Sequence, residues 1–547
     1  QQDKLKAAMW IEGTPVEVST FCHATSDAVS VKVNSRLIKM GSLKINLQFP
    51  YPTGAWTDEG TNFAQAEKHF SQTTIKDKKL VVVQHQLDAT RYDATIHSSK
   101  NILVTEKAKH KFSISPEAKA DSFDVTVSFS EPSAKYHLQP TYAQTKISSQ
   151  QSWRNYWQSG GAIDFSGSTD TRAFELERRI ILSQYLMRSQ EAGYYPPQET
   201  GLTYNSWFGK PHLEMHWWHA THYALWGRIK LLEKSLSWYK KVFPIAKSIA
   251  QRQGFKGARW QKMTDNTGEE TPSSIGALLI WQQPHFIYFA ELCYRNKTSK
   301  QILDKYKELV FATADFMASF PYYDSVTKRY ILGKGLIPAQ ERFKAEETFN
   351  PTYELVYWKW ALSVAQKWRN RLGMPADKKW EEVMQKLSPL PVQDNLYLAA
   401  ESATDSYTNP EYKTDHPSVL AALGVMPSTN EVDKTIMTNT FNWVWKNWSW
   451  NDTWGWDFPM TAMTATRLGM PDKAIDALLM PVQTNTYLAN GHNYQDERLR
   501  VYMPGNGGLL TAIAMMVAGY DDNKTTLPGI LKNGTWKVKW EGLKKMP

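Results

Sequence analysis

Up to about residue 140 the apolar positions alternate or run as β-branched clusters. VEVSTF, VSVKVNS, SLKINLQF, KLVVVQHQ, ATIHSS and FDVTVSFS are each bounded by Ser, Pro, Asp or Gly turn residues. Such a series of short strands closes most simply as a β-sandwich. From about residue 172 the period changes: Leu303, Tyr306, Val310, Ala314 and Met317 recur at helical spacing, as do Leu355, Trp358, Leu362 and Ala365. Roughly a dozen helices are predicted before residue 520 with no strand runs between them, which excludes a βαβ plan and leaves paired helices around a common axis. Between the two regions SSQQSWRNYWQSGGAIDF has no strong period and reads as a linker with room for a short helix. Beyond Gly519, GTWKVKWEGL alternates again and is expected to return a strand to the first domain. The predicted division is therefore 1–140, a linker over 141–171, helices over 172–520, and a returning strand segment over 521–547.

Composition narrows the class. A chain of 547 residues is too long for one ordinary core. Its mean hydropathy of -0.51 and the absence of any run of eighteen apolar residues argue against a membrane span. The first residues, QQDKLKAAMWIEG, lack the apolar stretch of a signal peptide, so the chain is either cytoplasmic or already processed. We take the second as the expectation, a periplasmic or secreted protein. Cys22 and Cys293 fall in different predicted domains, which gives neither a disulfide framework nor metal-ligand spacing, and buried free thiols are expected. The net charge of +10 is spread over strand-like segments such as TIKDKKLVVVQ and TEKAKHKF, unlike a nucleic-acid footprint. It reads as a solvated basic face, with an acidic sugar substrate as the lesser alternative. The 23 Trp ask for a core or a flat ligand to use them, and sugar rings are such ligands.

Four helix-to-loop junctions hold the dense polar and aromatic clusters. The first, NSWFGKPHLEMHWWHATHYALWGR, contains Trp207, His212, Glu214, His216, Trp217, Trp218 and His219. His212, His216 and His219 would share a helical face, but the Glu placement of a zinc protease is missing, so packing and hydrogen bonding are expected, with no metal and no cofactor. The second, GFKGARWQKMTDNTGEE, carries Arg259, Trp260 and Asp265. The third is GLIPAQERF with its continuation KAEETFNPTYEL, where Glu341 follows a Pro and an amide. The fourth runs from NDTWGWDFPM to NGHNYQDERLRVYMPGNGG.

Several of these stretches, in the same order, resemble the six-hairpin glycoside hydrolases. The likeness is to family 65, the maltose and kojibiose phosphorylases and their hydrolase relatives, and to family 95, the α-L-fucosidases. SWRNYWQSGGAIDFSG looks like the linker before the barrel in those families. GKPHLEMHWWHA resembles the family 95 segment Leu-Gln-Met-Asn-Tyr-Trp and stands at the place of the family 65 Trp-Asp-Thr-Glu. GFKGARWQKMTD is similar to the family 65 Gly-Ala-Arg-Tyr-Pro-Trp-Met-Ser-Asp. GLIPAQERF looks like Gly-Val-Ile-Gly-Pro-Asp-Glu of family 65 and Ser-Pro-Glu-Asn-Arg-Phe of family 95, in which the Glu is the general acid. MPGNGGLLTAIAMMVAG resembles the family 95 Asp-Gly-Asn-Phe-Gly and its following helix. The resemblance implies an N-terminal β-sandwich followed by an (α/α)6 barrel, and an exo-acting inverting α-glycoside hydrolase on oligosaccharides.

Two departures bear on the chemistry. The family 95 base is replaced by Pro504, and the family 65 phosphate segment His-Asp-Ser-Ser is replaced by WGWDFPM, which brings in Asp457. Inverting hydrolysis needs an acid and a separate base that holds water. Glu341 is the expected acid, against a reading as a solvated loop carboxylate or a cap for the helix near Pro351, and Glu346 and Glu347 lie close by. Asp457 is the expected base, against a reading as a carboxylate capping a helix; Asp496 and Glu497 are the alternatives, with Arg498 and Arg500 as ready ion-pair partners. The expected sugar contacts are Trp207, His212, Glu214, Trp217, Arg259, Trp260, Asp265, His285, His492 and Asn506. A phosphorylase, a uronate-directed lyase and a non-catalytic sugar-binding protein remain open on the same fold.

Overall fold

The computed structural model describes residues 5–132, 139–427 and 430–547. The chain forms two compact units, Gln1–Ser159 and Gly160–Pro547.

The first unit contains two antiparallel sheets. Seven strands lie in the order Leu5–Ile11, Thr14–Cys22, Ala28–Asn34, Ser122–Ser130, Thr90–His97, Leu80–Leu87 and His69–Asp77. The second sheet orders Ile45–Gln48, Lys111–Pro116 and Ile102–Ala108. Val81, Val83, Ala94, Ile96 and Val125 of the larger sheet share one buried cluster with Ile102, Phe112 and Ile114 of the smaller. That shared apolar face is what holds the sheets. Leu5–Ile11 was not among the predicted strands, and the reason is visible: Met9, Trp10 and Ile11 are exposed on an edge strand, so no alternation marks it. Of the predicted linker, Tyr142–Trp157 is a sixteen-residue helix of the first unit, and the residues from Gly160 onward belong to the second. The helix starts at a capping box in which Gln144 N–H donates to Thr141 Oγ1 at 3.2 Å and Thr141 N–H donates to Gln144 Oε1 at 2.9 Å. Cys293 is buried as expected, but Cys22 is exposed.

The second unit is helical. Among the described residues, the helices His216–Leu225, His285–Asn296, Thr352–Arg371, Ala421–Gly424, Asp457–Leu468 and Met503–Ala518 contact one another in that cyclic order, the last returning to the first. Flanking helices pack against them: Arg172–Gln190 on the sixth, Ile229–Lys241 on the first, Lys300–Ser319 on the second and third, and Pro471–Leu478 on the fifth. The returning strand corrects one expectation, since Lys539–Glu541 pairs antiparallel with Ala162–Asp164 inside the second unit and not with a strand of the first. Among the described residues no helix is long and apolar enough to cross a membrane.

Candidate active site

Charged side chains gather where loops enter the buried helices. Met263 forms an isolated bridge with His212, and Leu213 and Glu214 both donate backbone N–H groups to the carbonyl of Lys262, at 3.0 and 3.2 Å. This pairing lays the loop before His216–Leu225 beside the stretch around Lys262. The Lys262 ammonium is almost fully buried and lies 2.8 Å from Glu214 Oε2 and 2.5 Å from Glu341 Oε1. One cation therefore bridges two carboxylates. Burial alone would lower the Lys262 pKa, but Glu214 and Glu341 outweigh it and hold the group charged.

Glu341 sits on a clamped loop. Its N–H donates to Asp415 Oδ2 at 2.7 Å, Gln340 Nε2 donates to the Tyr412 carbonyl at 2.9 Å, and Ala339 N–H donates to buried Glu354 at 2.7 Å. Its carboxylate caps no helix. The Glu341 side chain keeps 23% of its exposure while that of Glu214 keeps 2%. Burial, helped by Glu341 and opposed by Lys262, pushes Glu214 up to about 7. Glu199 is also pushed up to about 7, by burial and then by Glu214, and it accepts from Trp207 Nε1 at 2.9 Å.

A second charged group adjoins. His416 Nδ1 donates to Asp457 Oδ1 at 3.0 Å, and its Nε2 lies 3.6 Å from Asp415 Oδ1. Burial would lower the His416 pKa, yet Asp415 and Asp457 raise it to about 9, so the ring is a cation at neutral pH. The ring stacks on Trp456 with centroids 4.0 Å apart. Asp457 itself is fully buried at the start of its helix, and Oδ2 also accepts from Trp454 N–H at 2.8 Å. Trp454 Nε1 donates to Asp415 Oδ1 at 2.9 Å. Tyr502 is buried within reach of the charges of Glu199, Glu214, Asp457 and Asp415. Trp207, Phe208 and Asp415 all adopt positive φ, a costly backbone for such residues that recurs at functional sites.

Of the expected contacts, Trp207 and Glu214 lie here. His285 supports the site from behind, with Nε2 3.1 Å from the Glu214 carbonyl and Nδ1 2.9 Å from the Tyr357 hydroxyl. His212 is buried, its Nδ1 donating to the Lys210 carbonyl. His216 bonds Tyr239 and Ser235, and His219 faces Glu191, so the three histidines of that stretch have separate partners. Four of the other expected contacts lie in the packed interior. Trp217 packs on Trp218 and Tyr288 in the interior. Trp260 is buried, donating to Thr313 Oγ1 and packing on Tyr239. Arg259 donates to Gln283 and to the Ala277 and Leu279 carbonyls, which ties loops together. Asn506 donates to Ser183 and the Gly491 carbonyl within the packed interior. Asp265 caps its own turn through Thr267 and Glu269 and borders a cavity of about 510 Å³ with Phe208 and Lys210. His492 bonds Gln190 at 2.8 Å. Asp496 and Glu497 pair with Arg498 and Arg500 at the surface, and Glu346 and Glu347 are exposed.

Lys262, Glu199, Asp415, His416 and Tyr502 were not singled out. Lys262 was the one basic residue in WQKMTD, and Asp415–His416 precedes Pro417 at another helix entry, KTDHPSVL, a placement the four chosen junctions share.

With the geometry in hand, comparison with solved structures finds a protein described as a putative kojibiose phosphorylase from human microbiome, at TM-score 0.70 and 12% identity, covering 98% of this chain and 79% of that one. The chain has a glycoside hydrolase-like fold. At this identity the likeness is one of fold, and it does not single out family 95. Weaker matches include a glycosidase in complex with glucose at TM-score 0.44 and 13% identity, covering 62% of this chain and 97% of that one, and a family 78 rhamnosidase of Bacillus sp. GL1 at 0.43 and 8%, covering 93% and 47%. No family model and no curated protein matches.

Proposed function

We propose that the second unit is an (α/α)6 barrel and that the chain is an exo-acting inverting α-glycoside hydrolase on oligosaccharides, with Glu341 as general acid. The cyclic order of six buried helices supports the barrel. One observation carries the chemistry: Glu341 is the partly open carboxylate of a cluster otherwise buried, and the cluster is acidic overall. Among the described residues Glu199, Glu214, Glu341, Asp415 and Asp457 face two cations, Lys262 and His416, each already matched by carboxylates, while the burial that raises Glu199 and Glu214 to about 7 leaves those two with part of their negative charge at neutral pH. An acidic site favours the positive charge that develops on the sugar when its glycosidic bond breaks. It disfavours a phosphate dianion, which needs a cation that is not already paired.

The base is Asp457 in this proposal. Glu214 does not suit that task, because sharing Lys262 with Glu341 keeps their nearest oxygens within about 5.3 Å, closer than the ~6.5–9.5 Å an inverting pair needs to admit water. In the resting arrangement His416 and Trp454 N–H occupy the Asp457 oxygens, so the proposal requires His416 to move off Oδ1 when water enters.

The second reading is a phosphorylase, in which phosphate would have to take the place of a carboxylate beside the His416 cation. Assay of a disaccharide panel with and without phosphate separates the two. Turnover without phosphate supports the hydrolase, and turnover only with phosphate replaces it.

A further inference from the structure

Three histidines of the first unit converge from separate segments. His69 opens the edge strand His69–Asp77, His85 lies in Leu80–Leu87, and His110 sits in the turn between Ile102–Ala108 and Lys111–Pro116 of the other sheet. One ring nitrogen from each lies within 4.8 Å of the others, and among the described residues this is the one group of His, Cys, Asp or Glu gathered so closely. His85 and His110 are buried.

The hydrogen bonds fix the tautomers. His110 Nε2 is 2.7 Å from the Ala66 carbonyl, which can only accept, so that nitrogen carries the proton and Nδ1 offers its lone pair. The Ser71 hydroxyl is 2.8 Å from His110 Nδ1 and 2.9 Å from His85 Nδ1. It donates to the first and accepts from the second, which leaves His85 Nε2 with a lone pair. His69 Nδ1 stands 3.3 Å from that nitrogen. Two nitrogens, each about 2.0–2.1 Å from a tetrahedral zinc ion, lie about 3.3–3.4 Å apart. Ligating histidines characteristically have their second nitrogen held by a carbonyl or another partner, as Ala66 and Ser71 do here. Access is also present: His69 and His110 line a surface cavity of about 500 Å³, together with the carboxylates Glu67, Asp88 and Glu106 that can offer a fourth, oxygen ligand.

We propose that His69, His85 and His110 form a binding site for a transition-metal ion of the zinc class, which ties the edge of the seven-stranded sheet to the three-stranded one. Without the ion the same atoms form a hydrogen-bonded chain from His69 through His85 and Ser71 to His110. Binding requires His69 to carry its proton on Nε2, which frees Nδ1 as a ligand, and the Ser71 hydroxyl to turn its hydrogen away from His110 Nδ1 while it still accepts from His85 Nδ1.

The test uses the full chain without an affinity tag, stripped with EDTA and titrated with Co²⁺ and then Zn²⁺. One equivalent of cobalt with the visible bands of a four-coordinate ion, displaced by zinc, is expected. His69→Gln, at a cavity-lining position, should weaken binding tenfold or more with an unchanged circular dichroism spectrum. No binding at micromolar metal, or wild-type affinity in His69→Gln, overturns the proposal. An independent reading that needs no variant is diethyl pyrocarbonate labelling followed by peptide mass spectrometry: zinc should protect His69 in the wild-type chain, and equal labelling with and without zinc overturns it.

Discussion

Replacing Lys262 with Met keeps most of the side-chain volume and removes only the ammonium. Two carboxylates, Glu214 and Glu341, are then left within about 5.3 Å of each other, one fully buried and one 23% exposed. Removing one partner of a buried ion pair costs about 3–5 kcal/mol, and the partial exposure of Glu341 places this case toward the lower end. The cost depends on pH, because a proton on Glu214 removes one of the two charges. Glu214 is already raised to about 7 from its ordinary range, so its contribution favours the folded state below the unfolded pKa and is lost as pH rises through about 7. Without Lys262 its pKa rises further, so the variant should lose stability relative to wild type as pH increases. Urea unfolding followed by tryptophan fluorescence should show a gap of about 3 kcal/mol near pH 8 that shrinks to about 1 kcal/mol near pH 5.5. Equal stability near pH 8, or a gap that widens toward acid, would refute the reasoning.

Glu341→Gln should fold normally and lose about 10²–10⁴-fold in rate on substrates with poor leaving groups, with activated aryl glycosides spared; equal losses on both point away from an acid. Asp457→Asn should abolish turnover while KM changes little, and azide should restore part of the rate if the lost group is the base. If instead His416→Gln reproduces the whole loss and azide rescues neither variant, Asp457 is a positioning residue for His416. The His416 ion pair makes its own pH signature: with a pKa raised to about 9, its stabilisation is complete below the unfolded value of ~6.5 and fades as pH rises through 9. Wild type should therefore lose stability between about pH 6.5 and 9.5 more steeply than His416→Gln, and parallel curves would remove the ion pair.

The strand pattern was legible where a buried β-branched run marks it, as Val81, Val82 and Val83 do in Leu80–Leu87, and silent at the exposed edge strand Leu5–Ile11. Helix existence was legible, but the tilt of apolar residues to one side was weak where a helix is buried all round, as in Met503–Ala518. Glu341 could be found because its acid stands in a distinctive loop. Its ion-pair partner Lys262 could not, lying 79 residues away, nor could His416, which bonds the expected Asp457 across 41 residues. Trp260 and Arg259 read as loop residues open to a ligand, yet Gln283 and Thr313 close over them. A loop in sequence says nothing about which neighbours cover it.

The central claim is tested most directly by following the reaction of an α-linked disaccharide by proton NMR, in phosphate-free buffer and again with phosphate. The account predicts turnover without phosphate and a first-formed sugar of β configuration. A first-formed α anomer, or a sugar 1-phosphate formed only when phosphate is present, would contradict it.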